Sequence, residues 1–420
     1  MTDILDELAW RGLIAQTTDL DALRADLATG PMPLYAGFDP TGPSLHLGHL
    51  VPLLALRRFQ LCGHRPIVLV GGATGLIGDP SGRSSERILS TPEVVAEHVG
   101  RLRHQMERLL EFGDGPTGAL LVDNLEWTAP LSAIDFLRDV GKHFSVNTML
   151  AKDSVSARLH GGGLSFIEFS YMLLQSMDYL ELHRRYRCRL QIGGNDQWGN
   201  ITAGLDLVRR VAGGSGHALT FPLVTDSSGN KLGKSTGGGD VWLDAELTSP
   251  YAMYQHLLGL DDRDVGTYLR LLTFVQREEV EALDRATLER PSARAAQRRL
   301  ARELVGLLHG TEQVQRVEQA SGALFGSGSL SELDEPVLAA AVAEAPSVRV
   351  AAACPPFLDL LAEGLGISRS EARRAVRDGG AYLNNTRVLE ESYVPGAQDW
   401  LHGRYLILRR GRRAVAVAVR

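Results

Sequence analysis

The chain has 420 residues, with 44 Lys and Arg against 50 Asp and Glu for a net charge of −6, and 44% of its residues are hydrophobic. That length supports two or three domains with real cores, and the mild acidity excludes a protein that coats polyanions along its whole surface while leaving local basic patches open. Three cysteines, Cys62, Cys188 and Cys354, lie far apart with no C-x-x-C pair, which argues against a disulfide framework or a zinc site and for a reducing compartment, the cytoplasm. The opening MTDILDELAW begins acidic, so no secretory leader is expected. No apolar run nears the roughly 18 residues of a membrane helix, so no membrane partner is expected either.

In chain order, PLYAGFD (33–39) and PIVLVGG (66–72) read as buried strands that end in Gly or Asp turn chemistry. Residues 46–61 carry a helical pattern, which makes the segment a strand–helix–strand unit with parallel strands. ALLVDN (119–124) and CRLQIGGND (188–196) are expected as further strands and FSYMLLQSMDYL (169–180) as a helix. The expected fold class is therefore α/β, a Rossmann-like parallel sheet, which binds ligands beyond the carboxyl ends of its strands. Tyr35, Gly71, Gly72 and the run Gly193-Gly194-Asn195-Asp196 fall at such ends.

The texture changes at Ser249-Pro250, an N-cap followed by proline at the first helical position, which opens a helical stretch to about 325. GSGSLS (326–331) breaks the pattern, 337–353 carries little signal, and the tail after CPP (354–356) is a separate small unit. From Ile367 onward it holds eleven arginines against five acidic residues, a local surplus of six on an acidic protein.

GPSLHLGHL (42–50) places His46 and His49 at the strand-to-helix junction. Metal-binding helices offer His at i and i+4 with a third ligand nearby, and this segment has neither, so metal is disfavoured. Core histidines remain the bland alternative. At a helix start, however, unpaired N–H groups and the helix dipole favour anions, and Gly48 lets a flat ring approach the backbone. SSGNKLGKSTGGGD (227–240) adds Lys231 and Lys234 in a glycine-rich loop, close to a phosphate-binding P-loop except that Ser228 stands where glycine is required. Together the two stretches read as a nucleotide site. Tyr171, Gln175 and Asp178, at i, i+4 and i+7, lie within about 60° of one helical face. Such a polar stripe is either a solvated face or a ligand-binding one.

HLGH and KLGKS, about 185 residues apart, resemble the two signatures of class I aminoacyl-tRNA synthetases. YAGFDPTGPSLHLGHL, GHRPIVLVGGATGLIGDPSGR, FLRDVGKHFSVN, EFSYMLLQSMDYL and LQIGGNDQWGNI extend the resemblance, in order, to the bacterial tyrosyl-tRNA synthetases. ISRSEARRAVRDGGAYLNNTRV resembles the S4-type RNA-binding domain that ends those enzymes. The resemblance implies a catalytic domain over 1–225 with an inserted dimerisation segment at about 125–187, and a catalytic loop and linker over 226–247. An α-helical tRNA-binding domain over 248–325, a linker over 326–353 and a small α+β S4-like domain over 354–420 follow. The implied partners are tyrosine, ATP with Mg2+, tRNA(Tyr) and a second copy of the chain, with no protein-bound metal.

The resemblance also implies residue roles. Thr41 and His46 would hold the terminal phosphate, His49 the nucleoside, and Lys231, Lys234, Arg83 and Arg87 the leaving pyrophosphate. Gly37, Asp39, Gly48, Gly194 and Asp196 would complete the ATP site. Tyr35 and Asp178 would bind the substrate phenol, Asp79, Tyr171 and Gln175 its ammonium group, and Gln197 its carboxylate. Trp198 and Lys152 are weaker candidates for tRNA contacts, and Phe166 with FLRDVGKHFSVN for the dimer interface. Ala36, Pro52 and Arg83 depart from residues common in the family. Tryptophanyl relatives share the signatures but give no reason for the pairing of Tyr35 with Asp178. A small nucleotidyltransferase would not need the basic tail, and a non-catalytic RNA-binding relative would not need intact signatures.

Overall fold

The computed structural model describes residues 3–81, 90–152, 155–156, 165–227, 229, 240–325, 329–343, 345–351, 354–411 and 414–420. Chain contacts divide it into two compact units, Met1–Leu247 with Leu260–Leu300, and Thr248–Gly259 with Ala301–Arg420.

The first unit is built on a six-stranded sheet in the order β1-β6-β5-β2-β3-β4, comprising β1 (Gln16–Thr17), β2 (Pro33–Phe38), β3 (Arg65–Val70), β4 (Leu120–Asp123), β5 (Leu190–Gly194) and β6 (His217–Phe221). Only the two-residue edge strand β1 is antiparallel; the other pairings are parallel. β3 and β6 are buried almost throughout, as strands covered on both faces must be; β3 carries an unbroken apolar run after Arg65, whereas β6 also buries His217 and Thr220. Strand order reverses between β2 and β5, where Tyr35 faces Gln191 across the ladder, and this switch point is where a crevice opens.

Helix Leu47–Leu61 follows β2. Its far end is fixed by two buried guanidinium groups: Arg58 donates to the carbonyls of Leu271 and Thr273, and Arg11 to those of Arg270, Thr273 and Val275. Arg270 and Leu271 lie in the last turn of helix Val265–Leu272 and Thr273 caps it, so cations meet the negative end of a helix. Burial pushes the Arg58 guanidinium down to about 9, still charged at neutral pH. Between β4 and β5 the segment runs through short helical turns into Phe166–Tyr186, whose Ser165 and Glu168 form a reciprocal cap. Ile134, Leu137, Val146 and Phe166 are exposed on this segment, Phe166 at 76%.

The second unit holds a five-stranded sheet, β7 (Ser347–Arg349), β8 (Ala381–Leu383), β9 (Thr386–Arg387), β10 (Tyr405–Arg410) and β11 (Ala414–Val419), ordered β7-β11-β10-β8-β9. Helices Phe357–Leu365 and Arg369–Arg377 supply its core with Phe357, Leu360, Leu361, Ala372 and Val376. The stretch 326–353, expected as a linker, contributes helix Glu335–Val342 and β7, which pairs in parallel with β11. Its three-residue strand is too short to leave a period-two signal.

Candidate active site

A cleft of about 670 Å³ lies at the carboxyl ends of β2 and β5. Its walls bring together Tyr35, Gly37, Asp39, Thr41, His46, Gly48 and His49 from the first expected stretch. Asp79, Tyr171, Gln175, Asp178, Gly194, Asp196 and Gln197 join them from the later ones. Ala36 and Pro52 line the same cleft. Arg83, Arg87, Lys231 and Lys234 lie outside the described residues.

The histidine pair caps its helix. His46 is the N-cap residue, and its Nδ1 accepts the Gly48 N–H at 3.1 Å, while His49 Nδ1 accepts the His46 N–H at 3.2 Å. Two imidazoles thus perform the reciprocal capping that Ser and Glu perform elsewhere. A ring nitrogen that accepts an N–H carries no proton, so each ring keeps its proton on Nε2 and is a donor there. The rings stack with centroids 3.9 Å apart. The spacing of two residues between the histidines is what places the second ring at the third helical position, where it can reach back.

The far end of the cleft is more deeply buried. Asp178 is 1% exposed, and its carboxylate accepts Trp127 Nε1–H at 2.9 Å and Asn124 Nδ2–H at 3.0 Å. Desolvation pushes its carboxyl up to about 7 despite those two donors. Tyr35 is fully buried beside it, edge-on to Tyr179, and among the described residues its hydroxyl has no hydrogen-bond partner. Burial, then the nearby Asp178 charge, holds the Tyr35 phenol well above its usual range. The stripe Tyr171, Gln175 and Asp178 lines the cleft, with Tyr171 and Asp178 buried and Gln175 half-buried, and is not a solvated face. Tyr171 donates its hydroxyl proton to Asp39 at 2.8 Å, which also accepts from Thr74 at 2.6 Å, and Gln175 Oε1 is buried without a partner. Gln197 Nε2 donates to Asp79 at 2.6 Å. A Cβ on Gly71 would collide with Asp39 Oδ1 and Thr74 Oγ1, so this glycine is required by close approach.

Asn124, Trp127 and Thr74 were not among the expected residues. Asn124 sits at the carboxyl end of β4, a position that signals function in an open sheet, and its carboxamide also accepts the Ala73 N–H. Trp127 gives no such signal, because a buried tryptophan reads as core.

The edge of the cleft near His46 is stitched to residues 241–244, just past the lysine stretch. Leu47 N donates to Val241 O, and Leu243 N to Leu45 O. On the other side of that stretch, the backbone N–H and hydroxyl of Ser227 both donate to Asp264 Oδ2 at 3.0 Å. Among the described residues no group of three His, Cys, Asp or Glu is placed to hold a metal ion, and no helix is long and apolar enough to cross a membrane.

In the second unit Arg369 pairs with Asp359, and Arg373 and Arg377 both pair with Glu391, so three of the four arginines on helix Arg369–Arg377 are partly neutralised. Tyr382 lies beneath two guanidinium groups, those of Arg387 at 5.8 Å and Arg409 at 4.6 Å. Lys152 Nζ, in the first unit, contacts Thr202 Oγ1 at 3.3 Å.

Residues 27–326 match the family described as tRNA synthetases class I (W and Y), and residues 338–417 the Tyrosine--tRNA ligase SYY-like C-terminal domain. The chain is 58% identical to a tyrosine--tRNA ligase of Nocardia farcinica over 100% of its length and 99% of that protein. It is also 58% identical to one of Mycobacterium tuberculosis over 98% of each. Its fold is similar to that of a C-terminally truncated Aspergillus nidulans mitochondrial tyrosyl-tRNA synthetase, with a TM-score of 0.70 at 29% identity over 77% of this chain and 95% of that one. A tryptophanyl-tRNA synthetase of Encephalitozoon cuniculi shares the fold at 14% identity, with a TM-score of 0.53 over 74% of this chain and 87% of that one.

Proposed function

The chain belongs to the class I tRNA synthetases of the tryptophan and tyrosine group and catalyses tyrosine–tRNA ligation with ATP as a substrate, and on that premise we propose how its residues divide the work. Tyrosine's carboxylate oxygen attacks the α-phosphorus of ATP. The bond to the β-phosphate oxygen breaks, and pyrophosphate leaves. A ribose hydroxyl at the tRNA 3′ end then attacks the tyrosyl carbonyl and releases AMP. Both steps call for positioning and charge stabilisation.

The observation that carries the substrate assignment is the buried, unpartnered Tyr35 hydroxyl beside the buried Asp178. A phenol satisfies both, because its O–H donates to Asp178 while its oxygen accepts from Tyr35. Indole N–H donates but has no lone pair to offer, so tryptophan leaves Tyr35 orphaned, and phenylalanine leaves both. The ammonium group meets three acceptors: Asp79, the Tyr171 oxygen whose proton is committed to Asp39, and Gln175 Oε1. Gln197, oriented by Asp79, turns its other N–H toward the carboxylate. Asp196 and Gly194 take the ribose, and Gly37, Asp39 and Gly48 let the nucleotide lie close to the backbone.

His46 and Thr41 donate to the terminal phosphate and His49 to the nucleoside, each ring through Nε2–H. Lys231, Lys234, Arg83 and Arg87 neutralise the departing pyrophosphate. Mg2+ enters with the triphosphate as part of the substrate. The exposed Ile134, Leu137, Val146 and Phe166 support a homodimer formed through this face. The arginine-rich second unit supports tRNA binding through phosphate neutralisation, with Trp198 and Lys152 of the first unit as weaker candidates for tRNA contacts. Three separated free cysteines support a cytoplasmic setting.

Amino-acid-dependent exchange of pyrophosphate into ATP tests the substrate assignment. Exchange is expected with tyrosine and not with phenylalanine or tryptophan. Exchange driven by tryptophan, or none with tyrosine, would overturn it.

A further inference from the structure

Three segments that phosphate chemistry must keep in register meet at Ser44 and Gln105. Ser44, 4% exposed, stands two residues before the His46 cap. Its Oγ donates to Leu45 O at 2.8 Å and accepts from Gln105 Nε2 at 3.0 Å and from Asp244 N at 3.2 Å. Gln105 Oε1 accepts the Leu45 N–H at 3.0 Å. One carboxamide and one hydroxyl therefore tie helix Pro92–Met106 to the turn before His46 and to the chain just past the Lys231–Lys234 stretch. The same helix grips the start of that turn through His98 Nδ1, 3.1 Å from Pro40 O. The Leu45–Leu47 and Val241–Leu243 hydrogen bonds continue the join up to the cap itself.

We propose that Gln105, acting through Ser44, is a positioning residue that holds the histidine cap in register with residues 241–244, so that the Nε2–H donors of His46 and His49 are set against the triphosphate. The proposal rests on the assignment of His46 and His49 to the triphosphate. Gln105 is absent from the lining of the cleft, so its effect must travel through the segments it joins. Tyrosine binds at the opposite end, on Tyr35 and Asp178, which these hydrogen bonds do not reach.

The test uses the full chain with Gln105→Leu, Ser44→Ala, the double variant and Gln105→Glu, measuring tyrosine affinity without ATP and the single-turnover rate of adenylate formation. Each single loss of a neutral hydrogen bond is expected to slow adenylate formation about tenfold and leave tyrosine affinity within about twofold. The double variant is expected to be no slower than the slower single one, because both break one network. Gln105→Glu keeps the acceptor for Leu45 N–H and is expected to recover most of the rate. Losses that multiply in the double variant, or tyrosine affinity falling in step with the rate, would overturn the proposal. Ser44→Ala removes a single oxygen and decides the matter even if Gln105→Leu fails to fold. Wild-type protein that showed no tyrosine-dependent exchange would instead overturn the functional assignment, a distinguishable outcome.

Discussion

Tyr35→Phe separates recognition from stability. In the protein without substrate the Tyr35 hydroxyl is buried and unpartnered, so deleting its oxygen removes a desolvated polar group and breaks no hydrogen bond. Orphaned groups of this kind cost about 1–3 kcal/mol, so the variant is expected to be as stable as the parent or more stable by about 1 kcal/mol. The ring keeps its edge-on contact with Tyr179. On the proposed assignment, the same oxygen donates to the substrate phenol when tyrosine binds. Losing that neutral hydrogen bond costs about 1–1.5 kcal/mol, or roughly tenfold in kcat/KM for tyrosine. Phenylalanine offers no acceptor, so its kcat/KM is expected to stay level or rise, and tyrosine's preference over it to narrow about tenfold. Pyrophosphate exchange with both amino acids, beside urea unfolding of both proteins, provides the assay. A lower urea midpoint, or equal losses for tyrosine and phenylalanine, would show instead that the hydroxyl has a structural partner in the free protein.

The Asp178 carboxyl, raised from an ordinary 3.8 to about 7, binds its proton more tightly in the folded chain. Its contribution to stability is therefore complete below pH ~4, falls as pH climbs to ~7 and is flat above, about 4 kcal/mol in all. Urea unfolding from pH 4.5 to 7.5 should accordingly show Asp178→Asn gaining on the parent as pH rises; parallel curves would contradict the burial argument. Gly71→Ala should cost about 1–3 kcal/mol and much of the exchange activity, because its methyl displaces the Asp39–Thr74 pair that holds Tyr171, and unchanged urea midpoints would argue against it. Phe166→Asp should shift the sedimentation coefficient toward a monomer, and an unaltered dimer would place the interface elsewhere.

The strand ends were legible because buried parallel strands carry apolar runs that stop at Gly or Asp; β2 and β3 do so, and β5 does so despite the buried Gln191, each within a few residues of the expected bounds. The polar stripe on helix Phe166–Tyr186 was legible as a stripe; only burial showed that it is not a solvated face. Trp127 and Gln105 were not legible. A tryptophan indole N–H aimed at a carboxylate has the same sequence appearance as a core tryptophan. Gln105 occupies the half-exposed side of an amphipathic helix, where glutamine is ordinary. Edge strand β1 has two residues, too few for any periodicity. The histidine pair was read as anion-binding chemistry at a helix start, but the use of both Nδ1 atoms as caps emerges only from the backbone geometry.

The carbonyls that hold Arg11 and Arg58 also set a timetable for the newborn chain. Arg11 meets Thr273 across 262 residues of sequence, a gap of roughly 13–52 s at ordinary rates of synthesis. During that interval the sheet is made, yet Arg58 lacks its carbonyl acceptors and Arg11 has only the Glu7 carboxylate beside it. The N-terminal half therefore completes its fold only after helix Val265–Leu272 has left the ribosome. Chains stalled at about residue 250 are expected to be cut readily by protease, and chains stalled well past 300 to resist; early resistance would place completion before the clamp. A buried pair of arginines thus acts as a checkpoint on the order of assembly.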